Sequence, residues 1–334
     1  MKMFWTQKTD AHQHIMNMFA MYDISKKGFL PNECCKLVPD DYGYLNDMLY
    51  IMSVSEDHTF KTYVRSYILK DYHKNADINK LSSNEIKYIY SVCCLLAHKY
   101  IWCSYEKDGD DDANKIDNVI PFCIAKPWIE SSNYLGIKPV LTHAAVDLYN
   151  WEYINEEDGF NLDNLKCINL INRSITKYSD SFNARIGDSE SRFYLIMTAI
   201  EGCCGPMLYN MESIYKLLND DNFDKQQIIS NLEDIHSYLT LQKTIIKRIY
   251  EKCEPEIFFN ISRTYLWGSD KMDGGWILEG LDHEPLKHSG GSAAQSSLIQ
   301  VQDSFFQIFH PNDTFLKNMR SYMPKKHRDY IQFC

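Results

Sequence analysis

Apolar residues recur at helical spacing in several long stretches of this chain. Ser82-Ser83-Asn84-Glu85 sets a Ser and a Glu three apart, the spacing of a capping box. Ile86, Ile89, Tyr90, Cys93, Ala97 and Tyr100 follow on one face and predict a helix ending near Trp102. Residues 192–204 predict a second helix, starting after Gly187-Asp188-Ser189 and stopped by Gly205-Pro206. Its stretch from Phe193 to Ile200 carries no charge, so burial on nearly all sides is expected. Asp224-Lys225-Gln226-Gln227 opens the clearest helix, with Ile228, Leu232, Ile235, Leu239, Ile246 and Ile249 on one stripe and Pro255 at its end. Phe258–Leu266 reads as a short helix, 297–309 as another, and Pro324 begins a last one reaching Cys334. Val119-Ile120-Pro121-Phe122 and Ile137-Lys138-Pro139-Val140 are interrupted by Pro and read as loops. The fold class is therefore mainly α, with any strands in the first half.

Gly28-Phe29-Leu30-Pro31 breaks the pattern and marks entry to a first folded unit. The organisation expected is an N-terminal extension over 1–27, a small mixed or helical domain over 28–152, and a larger all-α domain over 153–334. A chain of 334 residues fits two domains at roughly 150 residues each. No internal repeat or low-complexity segment is present.

Composition narrows the functional classes. The net charge is −10 and no long Lys/Arg run exists, which argues against nucleic acid and anionic membrane as partners. No apolar run approaches the ~20 residues that span a bilayer, and the N-terminus lacks the apolar core of a signal peptide. Eleven cysteines, none in a C-x2-C pair, predict reduced thiols in a cytoplasmic protein without a zinc site. Asp108-Gly109-Asp110-Asp111-Asp112 resembles a calcium loop only briefly, because Ala113 and Val119 stand where Gly and Glu are needed. Nucleophile elbows, P-loops, H-E-x-x-H and G-x-G-x-x-G motifs are absent, which moves hydrolases, P-loop enzymes, zincins and Rossmann dehydrogenases down the order.

Two constellations carry candidate chemistry. Gly290-Gly291-Ser292-Ala293-Ala294-Gln295-Ser296-Ser297 lets backbone approach a flat ligand closely, and equally describes a tight turn capping the helix that follows. Phe258, Phe259 and Arg263 put an aromatic wall beside a guanidinium. That pair suits the ring and carboxylate of an aromatic amino acid, or an Arg tied to a structural Asp or Glu beside core rings.

In their order, these segments make the chain resemble the indoleamine 2,3-dioxygenases over about residues 28 to 334. The order is Gly28–Pro31, Phe193-Tyr194-Leu195 with Glu201, Phe258-Phe259-x3-Arg263-x-Tyr265-Leu266, Leu278-Glu279-Gly280, Gly290–Ser297 and Tyr322-Met323-Pro324-x2-His327-Arg328. The resemblance implies haem b, dioxygen and tryptophan or another indoleamine as substrate, giving N-formylkynurenine at the head of the kynurenine pathway, in a monomer. It places Phe193 over the haem near the indole, Phe258 on the substrate, Arg263 on its carboxylate with Leu266 nearby, and Gly291, Ser292 and Ala293 along the ligand and haem edge. His143 stands where animal members have a pocket Tyr, and Met197 where some have Ser. His143 is read either as a pocket residue or as a core histidine satisfied by backbone, and Met197 as pocket or core filler.

In this family the iron's proximal His lies on a helix downstream of the segment matched by Tyr322–Arg328, so no metal ligand is assigned up to Cys334. His283, His288, His310 and His327 are poor substitutes. The resemblance thus admits a fragment, a truncated non-catalytic paralogue, a substitute ligand, or a related haem enzyme acting on another indole. Tyr330, Ile331 and Phe333 so near the end suggest a missing packing partner.

Overall fold

Ser82 and Glu85 start the central helix as their spacing predicts. In this computed structural model, which describes residues 10–69, 71–103, 117–172, 181–220, 224–311 and 313–334, the Glu85 amide donates to Ser82 Oγ at 3.3 Å and the Ser82 amide to Glu85 Oε2 at 2.7 Å. The helix they cap, Ser83–Trp102, is buried along most of its length on every side rather than on one face. In chain order it is α5. Before it come α1 (Asp10–Met21), α2 (Tyr44–Val54), α3 (Asp57–Ser66) and α4 (Asp71–Lys74).

After it come β1 (Val119–Ile120), α6 (Phe122–Leu135), a π-helical turn at Ala144–Leu148, β2 (Trp151–Tyr153) and β3 (Leu165–Cys167). The second half holds α7 (Ser181–Gly202), α8 (Cys204–Leu218), α9 (Lys225–Lys247) and α10 (Pro255–Asn260). It continues with β4 (Ile277–Leu278), α11 (Ser297–Phe305), α12 (Asp313–Met319) and α13 (Lys325–Phe333). The mainly α expectation holds. Strands are not confined to the first half, because β1 pairs in parallel with β4, Val119 opposite Ile277 and Ile120 opposite Leu278. The Asp108–Asp112 loop lies outside the described residues.

Several boundaries move for identifiable reasons. Helix α6 forms although Pro127 interrupts its pattern, and Ser131 Oγ donates to the Pro127 carbonyl at 2.7 Å. Gly205-Pro206 does not end the chain's helical run. Pro206 sits in the first turn of α8, where no intrahelical donor is needed. Pro255 likewise begins α10 instead of closing α9. Helix α7 starts at Ser181, upstream of the Gly187–Ser189 signal. Along α9 the buried line is Asn231, Ile235 and Ile245, while Leu232 and Ile246 are exposed.

Most buried apolar side chains form one cluster running from Ile15 and Phe19 on α1 to Tyr330 and Ile331 on α13, and Val140, Met319 and Tyr322 form a second, small one. Tyr330 packs edge-on to Phe19 at 6.1 Å and against Tyr22 at 5.4 Å. The apolar side chains of Tyr330 and Ile331 therefore find partners within the chain, against expectation, while Phe333 is exposed. Two lysines inside this core are paired with carboxylates, as burial demands. Lys87 meets Asp23 at 2.6 Å, and Lys99 meets Asp57 at 2.7 Å.

Candidate functional site

Helix α7 supplies one wall. Tyr194, Leu195, Ile196, Thr198 and Ala199 are buried, yet Phe193, Met197 and Ile200 are only half-buried. These three are four and three residues apart, so they form a single stripe. The uncharged stretch is thus open along this stripe, contrary to burial on all sides. The Phe193 ring stacks on Phe258 of α10 with centroids 4.3 Å apart.

The predicted helix over 258–266 breaks in two. Helix α10 ends at Asn260, and a 3-10 turn spans Ser262–Leu266. The break leaves Arg263 exposed, with its guanidinium carbon 5.0 Å from the centroid of Phe259. Among the described residues no carboxylate lies within ion-pair distance of Arg263. The turn is held from beneath by α5. His98 Nδ1 donates to the Tyr265 carbonyl at 2.7 Å, and His98 Nε2 accepts from the Leu141 amide at 2.8 Å. Burial pushes the His98 imidazole down to about 3, which keeps it neutral for both bonds. Lys99 Nζ donates to the Tyr265 hydroxyl at 3.3 Å.

The glycine-rich segment crosses this turn. A Cβ on Gly290 would lie 1.8 Å from the Leu266 carbonyl oxygen, and one on Gly268 would lie 2.1 Å from the His288 carbonyl oxygen. These glycines are demanded by backbone meeting backbone, rather than backbone meeting a ligand. Gly291 has more room, because its Cβ would meet the Leu141 carbonyl oxygen at 3.4 Å. Gly291 and Ser292 are half-buried and Ala293 is exposed. The capping alternative also holds. Ser292 Oγ accepts from the Ala294 amide at 3.2 Å, and Ser296 Oγ accepts from the Ile299 amide at 3.3 Å to start α11.

His143 is buried behind this segment, and carboxylates rather than backbone satisfy it. Its Nδ1 lies 2.6 Å from Asp147 Oδ2 and its Nε2 lies 2.8 Å from Glu201 Oε1. Only a doubly protonated ring donates to both. Burial alone would lower its pKa, but Asp147 and then Glu201 outweigh burial and hold it up at about 10. Ser296 Oγ lies 2.5 Å from the same Glu201 oxygen. The sequence-level reading named Glu201 only as a motif residue and missed Asp147. The spacing of His143 and Asp147, one π-helical turn apart, was the available signal.

The other histidines weighed as metal ligands lie apart from this constellation of contacts. His327 is fully buried against Phe29, with ring centroids 4.8 Å apart. His310 pairs with Asp303 at 2.8 Å. His283 Nδ1 lies 2.6 Å from the Glu284 carbonyl, and His288 packs on Tyr322. No cluster of three or more His, Cys, Asp or Glu able to hold a metal occurs among the described residues.

The constellation predicted from sequence is thus brought together through α7, α10, the 262–266 turn and the 290–296 segment, each touching the next. Known proteins with the same order of segments can be identified. The sequence profile described as indoleamine 2,3-dioxygenase matches residues 18–334. Indoleamine 2,3-dioxygenase 1 of Mus musculus is 31% identical over 242 residues, 70% of this chain and 54% of that protein. Indoleamine 2,3-dioxygenase 2 of Mus musculus is 28% identical over 324 residues, 93% of this chain and 72% of that protein. A protein named myoglobin from Haliotis madaka is 27% identical over 319 residues, 93% of this chain and 75% of that protein. The chain therefore spans about half to three quarters of the length of these relatives. With the profile covering nearly all of it, including α7, the Arg263 turn and the glycine-rich segment, the chain belongs to the indoleamine 2,3-dioxygenase family.

Proposed function

We propose that this chain carries the substrate-facing side of a haem-dependent dioxygenase that inserts both atoms of dioxygen across the indole 2,3 bond of L-tryptophan, giving N-formylkynurenine. The observation that carries this reading is Arg263. It is exposed, without a carboxylate partner among the described residues, and joined through α10 to the Phe193–Phe258 stack. A planar guanidinium in that position takes a substrate carboxylate bidentately, while the rings take the indole.

The half-buried stripe of Phe193, Met197 and Ile200, with the polar rim of Gly291, Ser292 and Ala293, fits one face of a flat porphyrin. These residues would border haem b, which when bound supplies the ferrous iron that activates dioxygen. The chain's own contribution is orientation. Phe193 and Phe258 fix the plane of the indole, Arg263 fixes its amino-acid end, and Leu266 and Met197 exclude water from the ring. The absence of a disulfide among the described residues agrees with a reducing, cytoplasmic setting, and no described helix is long and apolar enough to cross a membrane. The partners proposed are tryptophan and dioxygen acting on a monomer.

A second reading has one observation in its favour. The Haliotis madaka relative, aligned over 93% of this chain, is named as a binding protein and not as an enzyme. The test is to supply the full-length protein with haem b and follow N-formylkynurenine formation from L-tryptophan in the native protein and in Arg263→Ala. The dioxygenase reading expects turnover, and a KM raised about 10- to 100-fold in the variant. Haem uptake without any product would favour the binding-protein reading.

A further inference from the structure

Behind the open stripe of α7 lies a cluster that no part of the proposed chemistry uses. His143, Asp147 and Glu201 are 3%, 5% and 0% exposed, and Ser296 is 1% exposed. Three segments meet here: the π-helical turn with its N-cap through Asp147 and His143, the last turn of α7 through Glu201, and the glycine-rich segment through Ser296. The His143 amide also donates to Gln295 Oε1 at 3.0 Å, and Gln295 Nε2 donates to the Gly290 carbonyl at 2.8 Å. These bonds tie the start of the π-helical turn to the segment bearing Gly291 and Ser292, and the Ser296–Glu201 bond ties α7 to the same segment. Glu201 Oε2 and Asp147 Oδ1 have no hydrogen-bond partner among the described residues, so the imidazole supplies the main compensation for two buried carboxylates.

We propose that His143 is a positioning residue: held as an imidazolium between Asp147 and Glu201, it keeps Glu201 locked onto Ser296 and so fixes the glycine-rich segment against the α7 wall. The inference rests on the substrate reading of that wall. Its physical basis is that Glu201 Oε1 accepts from both His143 Nε2 and Ser296 Oγ. Without the cation, two carboxylates face each other in a site with no water access, and one must take up a proton or turn away. Turning away breaks the bond to Ser296, which also caps α11. The other titratable groups facing the cluster are the Cys204 thiol on α8 and the Tyr194 phenol on α7. Burial keeps both uncharged, so neither replaces the imidazolium.

The charge account separates from a space-filling one by rescue. His143→Gln keeps size and hydrogen bonding but removes the charge. Amide exchange over residues 290–296 is expected to speed up about tenfold or more, while that of α5 stays native. Adding Glu201→Gln removes the uncompensated carboxylate, and exchange is expected to return to within about threefold of native. Native-like exchange in His143→Gln, or a double variant looser than the single one, would overturn the proposal. The unsubstituted protein offers an independent measurement: both His143 ring nitrogens should carry protons at pH 8 by nitrogen NMR, and a singly protonated ring overturns the proposal even where the variants do not fold. In the full-length protein His143→Gln should raise KM for tryptophan about tenfold while kcat stays within about threefold. Loosening without any tryptophan oxidation, native protein included, would sink the dioxygenase reading and leave the clamp standing. Native-like exchange in a protein that does oxidise tryptophan would sink the clamp alone.

Discussion

Phe193 and Phe258 meet ring to ring, with centroids 4.3 Å apart and an interplanar angle of 32°. One ring comes from the open stripe of α7 and the other from the short helix that leads to Arg263. The stack therefore ties α7 to the turn that carries Arg263, the two parts to which the proposed function gives the indole ring and the carboxylate. An aromatic pair of this kind contributes about 0.5–1.5 kcal/mol beyond the area it buries. Phe258→Ala is expected to lower stability by about 1–3 kcal/mol, since the side chain is half-buried and leaves little enclosed cavity. It should also raise KM for tryptophan more than Phe258→Leu does. Urea unfolding and steady-state kinetics read the two effects. Equal kinetics for Ala and Leu would mean that bulk, not an aromatic face, is what matters at this position.

The two adjacent glycines make a paired prediction. Gly290→Ala drives a methyl to 1.8 Å from the Leu266 carbonyl, and backbone cannot yield as a side-chain tip can. A loss of about 3 kcal/mol is expected, with the 262–266 turn displaced. Gly291→Ala meets its nearest atom at 3.4 Å and should change stability by less than about 0.5 kcal/mol. Thermal melts of the two variants decide it. A Gly291→Ala protein as unstable as Gly290→Ala would show that the crossing is tighter on both sides than the geometry allows.

Arg263 separates charge from shape. Its guanidinium carbon lies 5.0 Å from the Phe259 centroid, and the proposed function has the guanidinium take a substrate carboxylate. Arg263→Lys retains the charge but lacks the two-pronged donor set, so it should recover only part of the affinity lost in Arg263→Ala. Stability should be nearly native in both, because the residue is exposed. Full recovery by Lys would reduce the contact to a point charge.

The helices most legible in the sequence were those whose ends carry local chemistry. The Ser82–Glu85 box set the start of α5, and Pro324 the start of α13. Prolines misled where position within a helix decides their effect. Pro206 and Pro255 sit in first turns, and Pro121, read as part of a loop, separates β1 from α6 as the N-cap of that helix. The candidate residues Phe193, Phe258, Arg263 and Gly290–Ser297 were visible because their types and order are unusual. Their supports were not. His98, Asp147 and Glu201 act through partners 43 to 167 residues away or through a π turn, and no local pattern announces such contacts. The half-open stripe of α7 is not legible because a half-buried apolar face and a fully buried one have the same sequence.

Buried histidines of opposite character predict the shape of the stability profile. His98 and His327 are pushed down to about 3 and about 4 by burial. Unfolded, they titrate near ~6.5. As pH falls below that value the unfolded chain binds protons that the native one does not, so stability falls toward acid, by about 2 kcal/mol for each at pH 5. His98→Gln should remove its share of that acid slope, although it starts from a less stable protein.

His143 acts in the other direction. Its pKa is held up at about 10, so its contribution is complete below ~6.5 and is lost as pH rises toward 10. Between pH 6.5 and 8, before most thiols of the unfolded chain ionise, the native protein holds one proton more than the unfolded chain at this site. Stability should then fall by about 1.4 kcal/mol per pH unit, or about 2 kcal/mol across the window. His143→Gln has no such proton to hold and should lack this fall, keeping only the smaller rise with pH that His98 and His327 contribute as their unfolded rings lose protons. Urea midpoints measured every half unit from pH 6.5 to 8 test this. Parallel profiles for the native protein and His143→Gln would mean that the proton resides elsewhere in the fold.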